Sequence, residues 1–104
     1  MIGKYKVITL CGSVKFKDEF LKVQKRLSLD GNIVLSVGFF DFDKEDIITP
    51  QLKQMLGDMH KRKIDMADEI YVINKGGYIG QSTKSEIEYA IKNNKKVNYL
   101  EPIA

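Results

Sequence analysis

Four short runs rich in β-branched and aromatic residues, YKVITLCG, NIVLSVGFF, EIYVIN and KVNYLEP, alternate with three stretches in which apolar residues recur every three or four positions. The runs read as strands, because branched side chains suit a pleated surface, and their near-continuous hydrophobicity marks strands covered on both faces. Phe16, Phe20, Val23 and Leu27 share one face of a first helix, otherwise rich in Lys, Asp and Glu, that ends near Asp30-Gly31. Leu52, Met55, Leu56 and Met59 mark a second helix after the acidic, aromatic loop DFDKEDIITP. STKSEIEYAIKNN makes a third, behind the glycine-rich loop KGGYIG. Strands that alternate with helices are joined by crossovers, so the pattern predicts an α/β fold: a small doubly wound, Rossmann-like or flavodoxin-like parallel sheet. The expected strand order is 2-1-3-4. Ligands of such sheets bind beyond the carboxyl ends of the strands, here between strands 1 and 3, where the loops Cys11 to Phe16 and Asn74 to Ser82 meet.

At 104 residues the chain is expected to form a single domain over 1–104, with no repeat and no linker. Its hydrophobic fraction of 43% is enough for one modest core, which sets it apart from disordered sequences. The net charge of +3 is small and scattered, which argues against a nucleic-acid surface. No apolar run approaches the roughly 20 residues that a membrane helix needs. MIGKYKVITLCG reads as a strand and not as a signal peptide, so the expected location is the cytoplasm. The single cysteine, Cys11, has no Cys or His at metal-ligand spacing in the sequence, so neither a metal nor another cofactor is expected.

GYIGQSTKSEIEYA carries two carboxylates, Glu86 and Glu88. Helical spacing lines Glu86 up with Ala90 beside Ile87, which turns it inward, whereas Glu88 lies between Lys84 and Lys92 on the solvent side. An inward carboxylate at the edge of a ligand crevice suits a nucleophile or base. Thr83-x-x-Glu86 is also a capping-box spacing, in which the two residues satisfy each other's backbone N–H groups, and spacing alone favours that reading. CGSVKF offers Gly12, Ser13, a helix start and Lys15 as a cradle for an anion; the alternative is a Ser N-cap after a Gly turn. His60 flanks the apolar face of the second helix, either as a satisfied, partly buried side chain or as an acid titrating near neutrality. Asp65 and Asp68 are expected to serve the turn into strand 3. Phe39, Phe40 and Phe42 either close the core or stack on a flat ligand.

CGS after the first strand, MADEIYVIN, the Gly-rich loop and STKSEIEYA together resemble the nucleoside 2-deoxyribosyltransferase-like superfamily, which includes the 2'-deoxynucleoside 5'-phosphate N-hydrolases. The similarity spans nearly the whole chain, with CGS and the ST-x-x-E-x-x-YA block its specific parts. The resemblance implies that Glu86 is a nucleophile attacking the sugar C1', releasing the base and leaving a glycosyl-enzyme that water or another base resolves. It further implies a sugar and 5'-phosphate pocket formed by Gly12, Ser13 and Lys15, with Gly80, Ser82 and Thr83 near the ligand. Two positions depart from the family's pattern. Thr9 stands where a tyrosine usually holds the nucleophile, and His60 stands where an aspartate usually assists protonation of the leaving base. Histidine's ordinary pKa of about 6.5 suits that role. The resemblance thus implies an N-glycosidase or N-(deoxy)ribosyltransferase acting on a nucleoside or nucleoside 5'-monophosphate, without cofactor, as a homodimer or larger homo-oligomer. The alternative is a nucleotide-binding or sensing module that has lost the reaction.

Overall fold

A computed structural model describes residues 2–41, 43 and 45–103; the expectation for Phe42 lies outside them. The elements follow as β1 (Val7–Gly12), a single 3-10 turn (Val14–Phe16), α1 (Lys17–Leu29), β2 (Ile33–Leu35), α2 (Pro50–Asp65), β3 (Glu69–Ile73), a second 3-10 turn (Lys75–Gly77), α3 (Gln81–Lys92) and β4 (Lys96–Tyr99). All strand pairings are parallel and the order is β2-β1-β3-β4, the doubly wound arrangement that the alternating pattern predicts.

Side chains of a strand alternate between faces, and β1 shows how this divides the core. Leu10 faces α1, where it joins Phe20, Val23 and Ile73 in one cluster. Cys11 faces the other way, into a cluster with Ile64 of α2 and Ile87 and Ala90 of α3. One helix therefore covers one face of the sheet and two cover the other. Thr9 and Cys11 point to the two-helix side, so whatever that side holds is carried by α2 and α3.

The strand expected over NIVLSVGFF is much shorter, because β2 lies at the sheet edge and pairs with β1 only through Ile33, Val34 and Leu35. Beyond it, Val37 and Phe40 still pack on the α1 cluster, with Phe40 edge-to-face on Phe20 at a centroid distance of 5.4 Å. Core closure therefore holds for Phe40, while Phe39 is half exposed. Asp68 accepts a hydrogen bond from Val7 N–H at 2.8 Å, holding the entry to β3 against the start of β1. Asp65 accepts from the Tyr89 hydroxyl at 2.6 Å and so ties α2 to α3. Gly12 has a packing reason of its own: a Cβ there would stand 2.9 Å from the Ile73 carbonyl oxygen, so β1 and β3 close together only around a glycine. Among the described residues, no helix is long and apolar enough to cross a membrane.

Candidate functional site

Helix α3 begins at Gln81, with Gly80 as an extended N-cap at φ −77° and ψ 173°. The helix thus starts ahead of Thr83, which lies inside it and is only 4% exposed, and no side chain caps its first turn. The capping box that spacing favours is not formed. Glu86 instead occupies the second turn, on the sheet-facing side with Thr83, Ile87 and Ala90, partly buried. Glu88 is exposed, as its spacing predicts.

Beneath Glu86 lies the end of β1. On the same face of the sheet, the neighbouring helix α2 brings His60, 8% exposed, whose Nε2–H donates to the Leu10 carbonyl oxygen at 3.0 Å. A carbonyl can only accept, so this bond assigns the hydrogen to Nε2. The same nitrogen lies 3.6 Å from Sγ of the buried Cys11. Potential ligand atoms of Cys11, His60 and Glu86 all fall within 4.8 Å of one another. A strand and two helices thus bring a thiol, an imidazole and a carboxylate to one point.

The electrostatics of the three are set by burial. Desolvation pushes the Glu86 carboxyl from its ordinary value of 4.5 up to about 7, against the opposing pull of a hydrogen bond from the Cys11 thiol and of the Lys61 charge. Burial likewise drives the Cys11 thiol well above its usual range, reinforced by the neighbouring Glu86 charge. His60 falls to about 4, first by burial and then by the nearby Lys63 ammonium, with the Leu10 bond opposing. At neutral pH the thiol is protonated and the imidazole neutral, so Glu86 is the member that exchanges a proton.

A cavity of about 360 Å³ opens beside Glu86, walled by Gly57 and Lys61 of α2 and by Gln81, Ser82 and Ser85 of α3. A second hollow, of about 490 Å³ between Asp58, Met59, Arg62, Asp65 and Tyr89, shares Lys61 with it but lies farther along the helix pair, away from the buried trio. Gly57 is in the middle of α2, and a Cβ there would meet nothing within 4 Å. Neither close packing nor a left-handed backbone explains that glycine, and its effect is to leave the wall opposite α3 bare.

Of the residues expected at the site, Glu86 and Ser82 line this cavity, His60 lies beside Glu86 and Thr83 is buried one turn before it. The others serve elsewhere. Thr9 is fully buried and donates its hydroxyl to the Lys63 carbonyl at 2.8 Å, bonding β1 to α2. Ser13 caps the 3-10 turn by accepting from Lys15 N–H at 3.4 Å, which is the N-cap alternative. Lys15 holds its ammonium 3.4 Å above the Tyr78 ring, and Phe16 meets Tyr78 edge-to-face at 5.9 Å. These contacts join the loops after β1 and β3 to each other. Gly12 is committed to Ile73 and Gly80 to the start of α3.

The sequence assigned Cys11 no role at the site, although it placed it at the start of a crevice loop, and it did not point to Gly57, Lys61, Gln81 or Ser85. For Cys11 the signal was present, since two-residue alternation from Thr9 puts it on the two-helix face. The imidazole and the carboxylate it meets belong to contacts that only the folded chain defines. Comparison of the chain with protein-family models gave no match, and comparison with curated proteins gave none either.

Proposed function

We propose that the chain is an N-glycosidase or N-(deoxy)ribosyltransferase that cleaves the N-glycosidic bond of a nucleoside or nucleoside 5'-monophosphate. The observation that carries this reading is Glu86: an inward carboxylate on the wall of a cavity otherwise lined by hydroxyl, amide and ammonium groups suited to a sugar. It joins the resemblance of CGS and STKSEIEYA to the nucleoside 2-deoxyribosyltransferase-like superfamily. In this mechanism a Glu86 oxygen attacks C1' as the C1'–N bond breaks, and the bonding electrons leave with the base, which takes a proton. Water or a second base then attacks C1' and frees Glu86.

His60 is assigned a positioning role. With a pKa of about 4 it is unprotonated at neutral pH, and its Nε2–H is committed to Leu10, so it holds the end of β1 beneath Glu86 and the leaving base draws its proton from solvent. The Cys11 thiol, as a hydrogen-bond partner of Glu86, orients the carboxylate where family enzymes use a tyrosine. The functional unit in this reading is a homodimer or larger, for which Met55 and Met59 on α2, each 49% exposed, offer apolar surface; a light-scattering mass of one chain would reject that part.

One observation favours the second reading, a nucleotide-binding module without turnover: Glu86 is the only carboxylate among the three grouped side chains, and the imidazole beside it has no spare proton. A panel of ribo- and deoxyribonucleosides and their 5'-monophosphates separates the two. Release of free base, seen by chromatography, supports catalysis; thermal stabilisation by one nucleotide without base release supports the binding module.

A further inference from the structure

We propose that Cys11, His60 and Glu86 form a site for Zn²⁺, enclosed by β1, α2 and α3 and reached through the cavity beside Glu86. The donor set is the first reason. A thiolate, an imidazole and a carboxylate are the ligand types zinc uses, and three protein ligands with one open position is its usual arrangement outside structural sites. Mg²⁺ and Ca²⁺ call for six or more oxygens, and the trio supplies one carboxylate.

Geometry is the second reason. With a Zn–S bond of about 2.3 Å and a Zn–N bond of about 2.05 Å at a tetrahedral angle, sulfur and nitrogen stand roughly 3.6 Å apart. Cys11 Sγ and His60 Nε2 are separated by 3.6 Å before any ion is added. Glu86 falls within the 4.8 Å that encloses the trio, and its partly exposed carboxylate can close the remaining distance by side-chain rotation. The Leu10 carbonyl oxygen, 3.0 Å from Nε2, is near enough to contest the fourth position with water.

Binding balances as follows. Cys11 gives its thiol proton to solvent, and Glu86 does the same where it is protonated. The imidazole stays neutral by carrying its hydrogen on Nδ1, which frees the Nε2 lone pair for the metal and releases Leu10. Lys61 and Lys63, whose charges reach Glu86 and His60 respectively, oppose the cation, so affinity is lower than at a closed four-ligand site. If Glu86 is the nucleophile of the proposed reaction, the consequence is regulatory: a bound zinc ion occupies the attacking carboxylate and reversibly stops base release.

The test uses the full chain stripped with EDTA. Zn²⁺ is titrated by calorimetry and Co²⁺ by absorbance. The expected result is one ion per chain, with a cobalt–thiolate charge-transfer band in the near ultraviolet, and no saturable Mg²⁺ binding. Cys11→Ser removes the band, and Glu86→Gln weakens Zn²⁺ binding by at least about tenfold. Circular dichroism checks each fold, and Glu86→Gln, at a partly exposed position, serves if Cys11→Ser does not fold. Absence of one-site Zn²⁺ binding, or binding unchanged in the variants, overturns the site. Base release by stripped protein that ignores added Zn²⁺ also overturns it while leaving the glycosidase reading intact. Zinc binding, with no base released from any nucleotide by the stripped protein, keeps the site and removes the glycosidase.

Discussion

His60 and Cys11, 49 residues apart in sequence, meet at 3.6 Å between Nε2 and Sγ where the end of β1 passes under α2. The contact lies next to the one partly buried carboxylate of α3, so three elements of the doubly wound fold share a single polar point within an otherwise apolar cluster. Buried polar groups are costly unless they partner one another, and here each does.

Replacing the carboxylate separates chemistry from stability. Glu86→Gln is expected to lower base release by at least ~10³-fold, the order seen when a covalent nucleophile is removed. Because burial raises the Glu86 pKa to about 7, the parent's carboxyl contributes most to stability while protonated, and that contribution is lost as pH rises from 4.5 through 7. The amide carries no such loss, so at pH 8 the variant should be more stable than the parent, by about 1–3 kcal/mol in urea unfolding. Lower stability of Glu86→Gln than of the parent at pH 8 would mean that the buried carboxylate is not held at a cost to the fold.

The same shift orders the pH profile. A nucleophile must be ionised, so in EDTA-treated protein kcat/KM should rise as pH passes from 6 to 8, with its midpoint near 7. His60, at about 4, adds no limb near its ordinary 6.5. A profile flat across that range, or one falling with pH, would remove Glu86 as the attacking group.

Much of this was legible in the chain. Strand and helix alternation specified the sheet order, and the position of Glu86 beside Ile87 specified its inward direction. Periodicity failed where the tertiary setting decided the outcome. The run through Phe40 promised a long strand, but an edge strand pairs on one side only and β2 stops at Leu35. Thr83-x-x-Glu86 has the spacing of a cap, yet a glycine can open a helix as well, and Gly80 does so ahead of it. Thr9 reads as a substitution at a ligand position, whereas its hydroxyl is spent on the Lys63 carbonyl. Nothing in local sequence announces that Cys11 and His60 meet, because their contact depends on the register of α2 against β1.

Gly12 offers a test of the fold that is independent of activity. A methyl group there would stand 2.9 Å from the Ile73 carbonyl oxygen and 3.0 Å from its Cβ, in backbone and branched side chain that cannot swing aside. Gly12→Ala should therefore cost about 1–3 kcal/mol in urea unfolding. An unchanged midpoint would mean that β1 and β3 do not approach as described.

Gly57 should behave in the contrary way, because its methyl has room. A helix-interior glycine is less favourable than alanine by about 0.5–1 kcal/mol, so Gly57→Ala should raise Tm. Gly57→Leu extends a side chain into the cavity shared with Lys61, Ser82, Ser85 and Glu86 and should raise KM well before it lowers kcat. The two variants together make the glycine's cost to the helix and its benefit to the cavity separately measurable. If Gly57→Leu binds and turns over nucleotide as the parent does, the ligand does not occupy the space beside Glu86, and the cavity loses its place in the mechanism.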